Sequence, residues 1–203
     1  MISKQDKIWE MIVQHCKMVA IAMVISIVLG VVIGYLITYN KKVANVVLYI
    51  ASVMMTIPSL ALFSFLAPLL GLNMKPVITG LVAYTLMPIV RNTYIGLTNI
   101  DPSVIGSAQG MGLTNMEITT KIRLPLAFPV VLAGIRTSVV MGIGLTAIAA
   151  FVGEGGLGVY IFQGINRDNM NMILTAAILI ALITILVDKV LQVVQKIAEH
   201  RVR

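Results

Sequence analysis

Five apolar stretches of this chain run for fifteen residues or more without a single charge: Met18 to Thr38, Val43 to Met74, Pro76 to Val90, Thr137 to Val152 and Met170 to Val187. A bilayer's hydrocarbon core is about 30 Å thick and needs about 20 apolar residues in a helix to cross it. Backbone polar groups have no water partners there, so only helices and closed barrels can span it. A barrel would show alternating apolar and polar residues, and these runs are continuous. The predicted fold class is therefore all-α: a polytopic membrane protein with five core transmembrane helices. The composition agrees, with 59% hydrophobic and 11% charged residues and a mean hydropathy of +0.98.

The net charge of +7 does not point to nucleic acid, because the basic residues are scattered between spans and form no patch interleaved with aromatics. Orientation in the membrane explains them better. The single cysteine, Cys16, excludes an internal disulfide and a cysteine metal cluster. His15 and His200 lie at opposite ends of the chain and make no ligand pair.

Residues 1–17 mix Lys4, Asp6, Lys7, Glu10 and Lys17 with Ile2, Ile8, Trp9, Ile12 and Val13, which reads as an amphipathic helix near the interface. A signal peptide is the rival reading. The apolar run that follows is too long for a signal's central region and lacks a cleavage site, so an uncleaved first span is expected from Met18 to Tyr39. Gly30 and Gly34 within it have the spacing that lets membrane helices approach closely. Val43 to Met74 is too long for one straight span and too short for two. Pro58 and Pro68 divide it, giving a span from Ala44 kinked near Pro58, with Ser64 to Leu72 completing it or partly re-entrant. Span three is expected from Pro76 to Leu97, span four from Phe128 to Val152 and span five from Met170 to Lys189. A single transmembrane domain would then cover 18–194, with a basic tail at 195–203. Arg136 lies two to three turns inside span four, either reaching for a membrane face or pairing with Asp101 or Glu117. Gly153 to Gly158 reads as a flexible turn, because it matches neither a dinucleotide fingerprint nor a phosphate loop.

The longest interruption, 101–125, carries two helical signatures. Asp101 precedes Pro102, a cap followed by proline at the first helical position. Gly112 stops that helix. Thr114 and Glu117 form a capping box for a second helix. Leu124-Pro125 is expected to end it, because the residue before proline is pushed out of the helical region. Five spans put this hairpin, the 40–42 turn and the C-terminus on one side, with ten of the fifteen basic residues, which makes that side cytoplasmic.

The same stretch resembles the cytoplasmic loop of ABC importer permeases, E-A-A-x3-G-x9-I-x-L-P. Ser107, Ala108, Gly112, Ile122, Leu124 and Pro125 stand in register, and Gly106 replaces the glutamate. Thr56 to Leu62, Tyr84 to Tyr94, Ile135 to Thr137 and Phe151 to Gly158 further resemble the quaternary-amine (osmoprotectant) branch of type I importer permeases, serving betaine, carnitine, choline or related compounds such as ergothioneine. The resemblance implies a bacterial cytoplasmic-membrane subunit, working with a second permease copy or homologue, two ATPase subunits and an external binding protein. The hairpin, with Glu117 in its capping box, would dock on the ATPase as a lever. ATP and magnesium would be bound by that partner, in keeping with the absence of a phosphate loop and of any catalytic constellation in this chain. Thr56, Ser59, Ser64, Tyr84 and Asn92 are the candidates for lining the path of a small cationic or zwitterionic substrate. The alternatives are a permease for another substrate, such as ergothioneine, bile-related compounds or amino acids, or a secondary transporter independent of an ATPase, and the near absence of acids inside the spans weighs against a proton-coupled one.

Overall fold

A computed structural model describes residues 4–71, 73–152 and 155–200. Helices account for nearly all of them, and no strand occurs among these described residues. Helix α1 (Lys4–Leu36) is unbroken. The expected amphipathic segment and the first span are thus one helix, since no glycine or proline interrupts the chain between residues 4 and 29. Two small residues then let α1 lie against α4 (Met74–Thr98): Gly30 faces the Ile89 side chain and Gly34 faces Thr93.

After a short 3-10 turn, Asn40 starts α2 (Lys41–Met54), its side chain accepting from the Lys42 and Val43 N–H groups at 2.9 and 3.3 Å. Pro58 lacks an N–H and forces the preceding residue out of the helical region. The chain therefore breaks, and α3 (Ser59–Leu70) leaves α2 at 93°. The expected kink is a right-angled break. Phe63 of α3 fills the space left by Gly80 on α4.

The fourth expected span also differs. A first hairpin helix, α5 (Pro102–Gly110), is followed by α6 (Asn115–Ile118), a single π turn (Thr119–Arg123) and then α7 (Leu124–Ala149), the last three joined without interruption. Pro125 does not end the helix. The π turn shifts the hydrogen-bond register, the Leu124 N–H donating to the Thr119 carbonyl, so proline enters at the start of a new run, where its missing donor costs little.

The expected turn before span five contains a further helix, α8 (Leu157–Asn166); Gly153 and Glu154 lie outside the described residues. Asn169 then caps α9 (Met170–His200), which continues eleven residues beyond the expected end at Lys189. Residues 195–200 of the expected tail are helical, and 201–203 lie outside the described residues.

Among the described residues, three helical runs are long and apolar enough to cross a membrane (Asp6–Tyr39, Asn115–Val152 and Met170–His200), or four if the bent α2–α3 pair counts as one. Length and composition alone thus mark fewer than the five expected spans among the described residues. Helix α4 has 25 residues, about 37 Å of helix at 1.5 Å per residue. That length suffices, and α4 is the helix the others surround. It packs mainly against α1 and α7, while α9 lies on α7 and α8. The core of this triad joins Val19 and Met23, Ile89, and Ile143.

Candidate functional site: the hairpin and the polar seam

The hairpin is built by backbone chemistry that its sequence specifies locally. The Asp101 carboxylate accepts from the Ser103 N–H at 2.8 Å, which holds its carboxyl below the usual Asp range. A depressed pKa means the cap is intact at neutral pH and is lost only as the pH falls through that lowered value. At the other end of α5, Gly112 has φ +81, the Gly112 N–H donates to the Gln109 carbonyl (2.9 Å) and the Leu113 N–H to Ala108 (3.2 Å). These two bonds are the Schellman pattern, which satisfies carbonyls that a helix end leaves open. No other group comes within 4 Å of a side chain built at Gly112, so glycine is required there by the backbone angle and not by crowding. The capping box is complete: the Glu117 N–H donates to Thr114 Oγ1 at 3.3 Å, and the Thr114 N–H donates to Glu117 Oε2 at 3.0 Å. Lys121 Nζ adds an ion pair to Glu117 at 2.9 Å. Each such cap contributes on the order of 1 kcal/mol.

The residues expected to contact an ATPase fall on both sides of this hairpin. Ser107 and Gly112 are exposed, as are Leu124 and Pro125, whereas Ala108 is buried and Ile122 and Glu117 are half-buried. Two methionines, Met111 and Met116, are 72% and 71% exposed and flank the bend. A Cβ at Gly106 would meet nothing within 4 Å, so the position that lacks the motif's glutamate has room for a larger residue.

The candidate path residues divide. Tyr84 is buried and donates to the Ile57 carbonyl, which ties α4 to the α2–α3 break beside Thr56 and Ser59. Thr56 is exposed, its hydroxyl bonded back to the Val53 carbonyl at 2.7 Å. Ser64 is exposed farther along α3. Asn92 sits two turns beyond Tyr84 on α4, its Nδ2 donating to the Pro88 carbonyl at 2.8 Å and its Cβ facing Gly134 of α7. Thr56, Ser59 and Tyr84 are thus brought together at the break, and Ser64 and Asn92 are not.

Inside the bundle lies a polar seam that the spacing of residues did not reveal. Ser26 Oγ of α1 and Thr85 Oγ1 of α4 are 2.7 Å apart, and Ser138 Oγ of α7 donates to the Thr85 carbonyl at 2.6 Å. Near one end of the same triad His15, fully buried on α1, bonds through Nε2 to the Ile143 carbonyl of α7 at 3.1 Å. A carbonyl only accepts, so this ring nitrogen carries the proton. Lone hydroxyls in apolar runs were the available signal, but which helix each would face is a tertiary matter.

Arg136 pairs with neither Asp101 nor Glu117. Its Nε and Nη2 donate to Asp188 Oδ1 and Oδ2 at 2.6 and 2.9 Å, a two-point ion pair joining α7 to α9. Asp188 is not at a helix end, as α9 runs on for twelve residues, and its charge is compensated by the arginine. In lipid an unpaired carboxylate or guanidinium would be costly, which is the physical reason the two meet. No group of His, Cys, Asp and Glu able to hold a metal occurs among the described residues.

Fold and site together define a multi-pass helical membrane protein whose central helix is packed by protein on most sides and whose spans project a capped helical hairpin. Residues 26–203 match the family model of the binding-protein-dependent transport system inner membrane component, and the chain belongs to that family. It is 38% identical to the choline transport system permease protein OpuBB of Bacillus subtilis, over 90% of this chain and 84% of that one. The carnitine transport permease protein OpuCB of Listeria monocytogenes is 39% identical over 86% and 80%, and the osmoprotectant import permease protein OsmW of Salmonella typhimurium 37% over 90% and 87%. Among solved structures, an inward-facing form of the MetNI methionine ABC transporter superposes with a TM-score of 0.85 over 97% of this chain and 99% of that one, at 21% identity, a likeness of fold.

Proposed function

We propose that this chain forms the membrane path of an ATP-driven importer for a small quaternary-ammonium osmoprotectant of the betaine, carnitine or choline kind. The observation that carries the coupling half of this reading is the hairpin: a helix stopped by a Schellman glycine and restarted by a full capping box, with Met111 and Met116 exposed at its bend. Such an element moves as a unit when pushed, and α6 passes without a break into α7, so displacement at the bend is carried into the bundle. Ser107, Ala108, Gly112, Glu117, Ile122, Leu124 and Pro125 are the residues assigned to the contact with an ATPase partner, which binds ATP and magnesium. The hairpin faces the cytoplasm in this scheme. A second permease chain completes the path, and an external binding protein delivers the substrate and supplies most of the selectivity. That division suits a chain with only 6% aromatic residues, since quaternary ammonium groups are held by aromatic cages. The substrate class rests on the names of the choline, carnitine and osmoprotectant relatives.

The test is reconstitution in liposomes with and without the ATPase and binding protein, measuring uptake of labelled betaine, carnitine and choline. ATP-dependent uptake of at least one supports the reading, and equal uptake without the ATPase means a secondary transporter. One relative, the ergothioneine transport permease/ergothioneine binding protein EgtU of Helicobacter pylori, is 39% identical over 77% of this chain and 28% of its own length, so ergothioneine belongs in the panel. Gly112→Asp probes the lever directly. A left-handed residue costs about 1–2 kcal/mol outside glycine, least for Asp and Asn, so the chain should insert normally. Substrate-stimulated ATP hydrolysis should be lost, and its persistence would remove the hairpin from the coupling step.

A further inference from the structure

We propose that the groove between α1, α4 and the π turn entering α7 is a binding site for one anionic phospholipid of the leaflet on the hairpin side. The groove encloses about 550 Å³ and is almost wholly apolar, with Ile27, Val32, Leu97, Ala127 and Ile135 among its walls. Its wall on α1 runs from Ile27 to Leu36, nine steps of about 1.5 Å, or about 14 Å. That is close to half of a hydrocarbon core of about 30 Å, the depth of one leaflet. An acyl chain fits this length and this chemistry.

The polar features collect at the other end of the groove. Tyr35 lines it, its hydroxyl paired with that of Tyr39, and Arg123, the last residue of the π turn, lies between the lining residues Thr120 and Leu124. Tyrosines at the headgroup level and a basic side chain between helices are the chemistry that holds a phosphate-bearing headgroup. A second, independent observation lies one turn deeper. Thr93 lines the groove, and its hydroxyl is buried with no protein partner among the described residues. It is a free donor at the depth where a glycerol ester carbonyl would sit, and a buried donor left unpaired costs about 1–3 kcal/mol. Apolar groove, unpaired donor and basic mouth thus follow one another in the order of a phospholipid's own parts. Because Thr119 and Thr120 of the π turn also line the groove, the lipid would brace the junction through which the hairpin meets α7.

The experiment is native mass spectrometry of the full chain in mild detergent, offered phosphatidylglycerol and phosphatidylcholine of equal acyl length. One phosphatidylglycerol per chain should be retained over phosphatidylcholine by about fivefold, the increment expected of one basic residue beside an anionic headgroup. Arg123→Gln should abolish the preference while leaving apolar retention, and Val32→Trp should lower retention of both lipids. Thermal unfolding of each variant confirms that it is folded before its spectrum is read. Equal retention of the two lipids by the unaltered chain overturns the proposal, as does a preference that survives Arg123→Gln. A Val32→Trp chain that keeps its lipid but loses a dimer assigns the groove to a second copy and overturns it too. None of these readouts involves transport, so the outcome is independent of the substrate reading.

Discussion

Helices α4 and α9 are both long enough to cross a membrane, yet they are buried to very different extents. Of the 25 residues of α4, 13 are buried, including Tyr84, Thr85, Pro88 and Thr93. Of the 31 residues of α9, only Ala176 and Ala198 are buried, and Leu182, Ile185, Leu186 and Val190 are each more than half exposed. Yet α9 is among the runs apolar enough to be recognised as a span and α4 is not. The difference teaches that hydropathy reports contact with lipid and not passage through it. A helix enclosed by protein can carry hydroxyls, prolines and an asparagine, because neighbouring helices satisfy them. Small residues opposite α4, Gly30 and Gly34 on α1 and Gly134 on α7, are what allow the enclosure. The outward face of α9 is left for lipid or for another chain.

This contrast can be broken most strongly at Gly134. A side chain there would stand 2.8 Å from the Pro88 carbonyl and 2.7 Å from Asn92 Cβ, and a backbone carbonyl in a packed helix cannot move aside cheaply. Gly134→Val should cost about 3 kcal/mol and separate α7 from α4, read as a lowered midpoint of thermal unfolding in detergent. A midpoint equal to the parent's would mean that α4 is less enclosed than this packing implies.

A smaller effect is expected where α7 meets α9. Asp188→Asn leaves Arg136 without its counter-charge in a setting only 28–29% exposed, and the loss should be about 2 kcal/mol. Replacing both partners, as Arg136→Met with Asp188→Leu, should recover most of it, since two apolar groups need no pairing. A double-mutant cycle measures the coupling, and independent single effects would show that the pair does not hold α9 in place.

The smallest effect should come from the face that α9 presents. Leu186 is 67% exposed, so Leu186→Ala should change stability in detergent by less than about 0.5 kcal/mol. A drop several times larger would show that this face is covered by another chain, and would narrow the contrast with α4.

Much of the hairpin was legible in the residues themselves. The Asp101 cap, Gly112 and the Thr114–Glu117 box work through groups at most five positions apart, and each formed as its spacing implied. The Gly30–Gly34 spacing likewise found a neighbouring helix. Pro125 misled because its effect depends on whether the preceding helix can slip into a π turn, and nothing in the residues immediately around it says so. Helix α8 was hidden behind a glycine run that suggested only a turn.

The order of apolar runs, the interrupting hairpin and its caps were therefore determined by the sequence alone, since each rests on hydrophobic transfer or on hydrogen bonds between near neighbours. Only the tertiary structure decided that α2 and α3 part at 93°, that Arg136 meets Asp188 52 residues away, and that Ser26, Thr85 and Ser138 share one seam. Those outcomes depend on which faces of separate helices come together. In a membrane, where every span is apolar to begin with, pattern along the chain says little about that choice, and close packing and the pairing of buried polar groups make it.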